Sequence, residues 1–323
     1  MPRLLARTAA VGAGAALVGA LVIASGALSL GAPAHRGTKS ASGPHEYGCP
    51  IFPANNPLNE DISHLPADPR SAAYIASIGA SLHLHADFGS NPAYGMPYVV
   101  VGAHQAKVPI HFDEYGAESN RGPYPVPLNA PVEGAGEEGD QHVLVMQRGA
   151  CKLYELYHAQ RDGSGWAAGS GAVFNLRSNA LRPEGWTSAD AAGLPIFPLL
   201  ARYPEVRAGQ IDHAIRVTVS RSQRGYIHPA THLGSNSNDP NLPPMGLRLR
   251  LKASFDLTPY HGQALIILRA LERYGLIVAD NGTSWYLSGA PNPGWNENDL
   301  DQLKSVPGSA FEAVQTGPIL HRG

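Results

Sequence analysis

The chain carries little cysteine, little charge and none of the short motifs that announce a chemistry. There is no G-x-S-x-G, and Gly163-Ser-Gly165 and Gly169-Ser-Gly171 lack the pattern of a nucleophile elbow. No glycine-rich dinucleotide fingerprint or P-loop occurs, so no nucleotide cofactor is expected. Neither H-E-x-x-H nor C-x-x-C is present to suggest a metal. Lysines and arginines form no cluster, and the formal net charge is −2. That excludes a sequence-independent nucleic-acid binder, which needs a basic face. The two cysteines, Cys49 and Cys151, sit in no context that would activate a thiol.

What is present begins at the N-terminus. Arg3 and Arg7 precede an apolar, small-residue run from Thr8 to Leu30, followed by Ala32-Pro33-Ala34. A basic segment, an apolar segment and an A-x-A end make a secretory signal. Residues 1–34 are therefore expected to be a signal peptide, and the remainder secreted. The alternative is an uncleaved membrane anchor facing outside, because the run reaches the ~20 residues that span a bilayer. That segment would be the only contact with a membrane. In an exported chain an even cysteine count predicts a Cys49–Cys151 disulfide.

Residues 35–48 are mostly small and polar and read as a disordered leader; residues 49–323 read as one β-rich domain. Short β-rich runs recur at 98–101, 108–112, 142–146, 152–157, 171–174, 213–219, 246–251 and 276–279. The intervals are punctuated by many of the chain's 36 glycines and 28 prolines. The pattern predicts a mainly β fold, an antiparallel sandwich or barrel-like body with a few peripheral helices. Helices are expected near 70–79, 261–274 and 296–304, the second ending at Gly275. Asp280-Asn-Gly-Thr, between 276–279 and Trp285-Tyr-Leu287, reads as a hairpin turn.

Candidate chemistry rests on carboxylates. Acids beside turns and aromatics include Asp87, Glu118, Glu155, Asp190, Asp212 and Asp280. Glycosidases use two carboxyl groups, one held protonated and one ionised. Asp190 and Asp280 are the first candidates for such a pair, with Asp87 and His213 in support. Thr187-Ser-Ala-Asp190 also reads as a helix-capping box, and Asp280 as a turn initiator. The expectation is that Asp87, Asp190, His213 and Asp280 converge on one cleft with a tryptophan at its rim. Trp186 and Trp285, in loop-like contexts, are candidate sugar-stacking platforms, with Asn281, His228 and His232 as further substrate contacts. His83, His85 and Asp87 alternate as one face of a strand would, giving a weaker metal alternative.

Four stretches, CPIFPANNPLNEDIS, SNALRPEGWTSADAAGLPIFPLLARY, DPNLPPMGLRLRLKASFD and LIVADNGTSWYLSGAP, resemble an uncharacterised family of secreted bacterial proteins over roughly residues 48–315. Members of that family sometimes carry appended carbohydrate-binding modules. The resemblance implies extracellular carbohydrate as the partner and identifies no catalytic residue. The reading is thus a secreted carbohydrate-active protein, expected to hydrolyse polysaccharide through paired carboxylates. Its alternatives are a non-catalytic carbohydrate-binding or cell-surface module and a metal-dependent hydrolase.

Overall fold

The computed structural model describes residues 43–136 and 139–322, so the expected signal peptide lies outside the described residues. In chain order the first strands are β1 (His45–Glu46), β2 (Cys49–Pro50), β3 (His85–Asp87), β4 (Tyr98–Val101) and β5 (Ile110–Phe112). Next come β6 (Val143–Gln147), β7 (Lys152–Tyr157), β8 (Gln160–Asp162), β9 (Gly165–Ala168) and β10 (Ser170–Asn175). The last are β11 (Ile215–Val219), β12 (Arg248–Leu251), β13 (Leu276–Asn281), β14 (Tyr286–Ser288) and β15 (Phe311–Val314). The helices are α1 (Ser71–Ile78), α2 (Tyr203–Ala208), α3 (Gly262–Arg273) and α4 (Glu297–Asp301).

A six-stranded sheet in the order β15-β12-β13-β11-β14-β3 organises the molecule. The order β10-β7-β6-β4 forms a second sheet, β5-β9-β8 a third, and β1-β2 a short hairpin. The mainly β expectation is met. Among the described residues no sheet closes into a barrel, and pairing is mixed rather than antiparallel. β11/β13, β14/β3, β4/β6 and β5/β9 are parallel pairs.

β6 shows why short apolar runs are so frequent here. All five residues are buried. Leu144 and Met146 enter the main core, while Val143 and Val145 enter a second one with Trp166 and Tyr154. Side chains alternate faces along a strand, so a strand covered on both sides reads as a continuous apolar run.

The three expected helices form close to their predicted limits. α1 stops at Gly79 in a left-handed conformation, φ 117°. Asn296 caps α4, its side chain accepting from the amides of Asn298 and Asp299. α3 buries Ala264, Ile267, Leu268, Ala270 and Leu271 along one stripe.

Two expectations are corrected. Residues 45–46, assigned to a disordered leader, pair with β2 as β1. The Asp280-Asn-Gly-Thr segment does not close a hairpin. β11 lies between β13 and β14, parallel to the first and antiparallel to the second. The chain after β13 crosses β11 because Trp285 turns into the core. Its indole is fully buried, packs on Phe311 at 5.1 Å and donates from Nε1 to the Gly79 carbonyl at 2.9 Å.

Cys49 and Cys151 form a disulfide, Cα atoms 5.5 Å apart, joining the β1-β2 hairpin to the start of β7. Thiol titration of denatured, non-reduced protein should find no free sulfhydryl; two per chain would contradict the bridge.

Candidate functional site

The site is built around a buried arginine. β11 is an apolar strand with Arg216 in its interior, 3% exposed. An isolated guanidinium is too costly to bury alone, so partners must surround it. Asp190 meets it in a bidentate pair, Nε to Oδ2 and Nη2 to Oδ1, both 2.9 Å. Nη2 also reaches Asp280 Oδ2 at 3.1 Å, and Nη1 donates to Ser288 Oγ at 2.8 Å.

Local structure frees each carboxylate for this role. The expected capping box at 187–190 is instead a hydrogen-bonded turn. Thr187 and Ser188 donate to the Asp190 carbonyl, and the Asp190 amide donates to Ser188 Oγ. No helix follows, so the Asp190 side chain is spared for Arg216. Asp280 is the last residue but one of β13, where one carboxylate oxygen accepts the Asn281 amide and the other faces Arg216. Burial, and then the neighbouring Asp190 carboxylate, push Asp280 up to about 7, against the pull of Arg216.

Ser288 links the arginine to a cavity. β14 and β3 run parallel with Ser288 beside Asp87. Asp87, Tyr94, Glu133, Asp140 and Ser288 line a cavity of about 220 Å³. Burial raises Asp87 above the ordinary aspartate range, opposed by a hydrogen bond from the Tyr94 hydroxyl. That hydroxyl also lies 2.8 Å from His85 Nε2, and the His85 ring stacks on Tyr286 at 4.3 Å.

Glu133 is set the other way. His142 is 1% exposed, with Nδ1 2.5 Å from Glu133 Oε2 and Nε2 2.9 Å from the Ala189 carbonyl. Both ring nitrogens face acceptors, an arrangement that only the doubly protonated imidazolium satisfies. Although burial opposes it, the Glu133 carboxylate drives His142 up to about 9. Burial would likewise raise Glu133, but the imidazolium outweighs it and Glu133 falls below its ordinary value. Glu155 lies behind this group, wholly buried and accepting the Ile196 and Phe197 amides. Burial pushes it up to about 7.

These shifts predict a pH dependence of stability. Asp280, Glu155 and His142 bind their protons more tightly folded than unfolded. The stability each contributes is complete below its ordinary value, 3.8, 4.5 and 6.5, and is lost as pH rises through about 7, 7 and 9. Glu133 runs oppositely, losing its contribution as pH falls. The thermal midpoint should therefore decline from pH 5 to pH 9. Glu155→Gln should flatten the fall below pH 7 and leave the fall above it; an unchanged profile would contradict the assignment.

The structure thus brings Asp87, Asp190 and Asp280 into one neighbourhood through Arg216 and Ser288. It does not bring His213 there. His213 is wholly buried and bonded to Glu205, Arg202 and the Ala214 carbonyl. The aromatic expectation is also corrected. Trp285 is core, and Trp186 is half-buried with the Arg182 guanidinium 5.6 Å from its ring centre. His228 pairs with Glu184 at 2.6 Å, and His232 with the Ala191 carbonyl at 2.8 Å. Asn281 donates to the Gly234 carbonyl at 2.6 Å.

The metal alternative fails on placement. His83 is exposed and outside β3, and His85 is engaged by Tyr94 and Tyr286. Among the described residues no group of three or more His, Cys, Asp or Glu side chains is arranged to hold a metal ion.

Arg216, Glu133, His142 and Tyr94 were not singled out from the sequence. One signal was available: Arg216 interrupts the apolar run His213-Ala-Ile-Arg-Val-Thr-Val219, and a charge inside such a strand implies a buried counter-ion.

Comparison with protein-family models, curated proteins and solved structures gives no match. Among the described residues no helix is long and apolar enough to cross a membrane.

Proposed function

We propose that this chain is an exported glycoside hydrolase acting on polysaccharide through two carboxyl groups of the 220 Å³ cavity. The observation that carries the reading is the opposed setting of Asp87 and Glu133 in one cavity: burial favours the protonated form of the first, and the His142 imidazolium the ionised form of the second. Carboxyl groups with pKa values pushed in opposite directions are what glycosidic cleavage requires.

Asp87 donates its proton to the glycosidic oxygen as the bond from that oxygen to the anomeric carbon breaks. Glu133 takes a proton from a water whose oxygen bonds to the anomeric carbon. One hydroxyl and one hemiacetal result, and exchange with solvent returns the proton from Glu133 to Asp87. Asp190 is closed off against Arg216, so its part is to hold the guanidinium behind Ser288. Asp280 stands beside that guanidinium as a second proton-holding carboxyl.

Export is supported by the N-terminal signal pattern and by the Cys49–Cys151 disulfide. The test is incubation of the chain lacking residues 1–34 with a panel of plant, fungal and bacterial cell-wall polysaccharides. The reading expects reducing ends to accumulate with at least one polymer. Binding without release would favour a non-catalytic carbohydrate module.

A further inference from the structure

A second cavity, about 360 Å³, is lined by Tyr47, Tyr98, Tyr203, Arg202, Pro291 and Asn292 among others. Its lining includes residues that follow those of the acid cavity along the same two backbone segments. Residues 93–96 line the acid cavity and residues 97–100 this one; Ser288 lines the first and residues 290–292 the second. The Met96 amide donates to the Gly289 carbonyl at 3.0 Å and so ties the two segments together between these sets of residues.

Its aromatic rings are fixed from behind. Tyr47 is 41% exposed, and its hydroxyl lies 2.6 Å from that of Tyr98. Tyr98 sets its edge against Phe197 at 4.8 Å, and Tyr203 against Trp295 at 5.6 Å. Tyrosines ordered before binding present apolar faces and hydroxyls at little further entropy cost. Beneath them Arg202 is fully buried. It donates to the Phe197 carbonyl at 2.5 Å and Glu205 at 2.7 Å, while its Nε has no hydrogen-bond partner. Glu205 pairs with Arg202, and Glu46 lies 3.9 Å from Nε, so the floor carries no surplus positive charge. Rings, hydroxyls and an amide over a charge-compensated floor suit an uncharged polyol ring better than an anion.

We propose that the tyrosine cavity is a subsite for a neutral sugar unit of the chain cleaved in the acid cavity. This rests on the hydrolase reading for the neighbouring site. It makes the substrate an extended neutral polysaccharide, bound by two cavities built on the same two segments, of which only one performs chemistry.

The experiment uses Asp87→Asn as a background that binds without turnover, titrated calorimetrically with cellohexaose, xylohexaose, laminarihexaose and mannohexaose, and with the matching disaccharides. At least one hexaose should bind. Adding Tyr203→Ala or Tyr47→Ala should weaken it at least about fivefold, while the matching disaccharide is affected less. Tyr47 is exposed near the tip of a hairpin, so its variant tests the proposal even if Tyr203→Ala fails to fold. Hexaose affinity unchanged in Tyr47→Ala, or no hexaose bound at all, overturns the subsite. The two readings fail separately. A hexaose that binds through the tyrosines but is not cleaved by the wild type sinks the hydrolase alone. One that is cleaved but indifferent to Tyr47 sinks the subsite alone.

Discussion

Asp190→Ala is expected to lower stability by about 3–5 kcal/mol, the usual consequence of leaving a buried charge short of its partner. Arg216 is 3% exposed and spends two of its hydrogen bonds on Asp190. Asp280 and Ser288 would remain, but one Asp280 oxygen is held by the Asn281 amide and Ser288 offers a single hydroxyl, so neither replaces the bidentate pair. Thermal unfolding should register a loss on the order of 10 °C. Replacing both partners, Asp190→Leu with Arg216→Met, should recover much of it, since desolvation then falls on neither charge. A second readout separates this from simple loss of packing. Asp190 helps hold Asp280 up to about 7. Asp190→Asn should therefore let Asp280 titrate lower, with Arg216 pulling the same way. A change under about 1 kcal/mol, with Asp280 unmoved, would show that the bidentate pair does not organise the site.

The second large effect is on turnover. Asp87→Asn should slow hydrolysis by roughly 10²–10⁴, the range removed with a general acid or base. Glu133→Gln should do likewise, with a difference. Asp87 is half-buried at the cavity wall, so its replacement should leave the thermal midpoint nearly unchanged. Glu133 also holds the imidazolium of His142, so its replacement should cost stability, most of all below pH 6.5 where His142 is protonated even in the unfolded chain. Reducing-end release and thermal unfolding, measured on both variants, check this. Turnover in Asp87→Asn within about tenfold of the wild type would remove that residue from the chemistry.

The sequence exposed the fold unevenly, for physical reasons. Helices with a glycine stop or an asparagine cap were legible because the signal is local: Gly79, Gly275 and Asn296 fix the ends of α1, α3 and α4. Strands were legible as apolar runs because both faces of strands such as β6 are covered. Strand order was not. Asp280-Asn-Gly-Thr has the composition of a hairpin, yet burial of Trp285 and the intrusion of β11 send β14 to the far side. Nothing within a few residues of the turn encodes that.

The candidate site shows the same division. Asp87, Asp190 and Asp280 lie 90 to 103 residues apart in steps along the chain, and short flanking residues marked each as free of a local charge partner. The partner they lacked was Arg216, hidden in an apolar strand. His213 misled because a histidine beside an acid looks the same whether it faces a cleft or, as here, Glu205 and Arg202 in the interior. The tryptophans misled because glycine-rich surroundings permit a tight turn inward as readily as exposure. Exposed aromatic surface falls instead to Tyr47, Tyr94 and Tyr115.

The division of labour between Asp87 and Glu133 is open to direct measurement without a substrate. Carboxyl carbon NMR titration of the wild type, with Asp87→Asn and Glu133→Gln used to assign the two signals, reads both groups. Asp87 should titrate above the ordinary aspartate value of 3.8, and Glu133 below the ordinary glutamate value of 4.5. Either group titrating on the opposite side of its ordinary value would contradict the pairing of a protonated with an ionised carboxyl in this cavity.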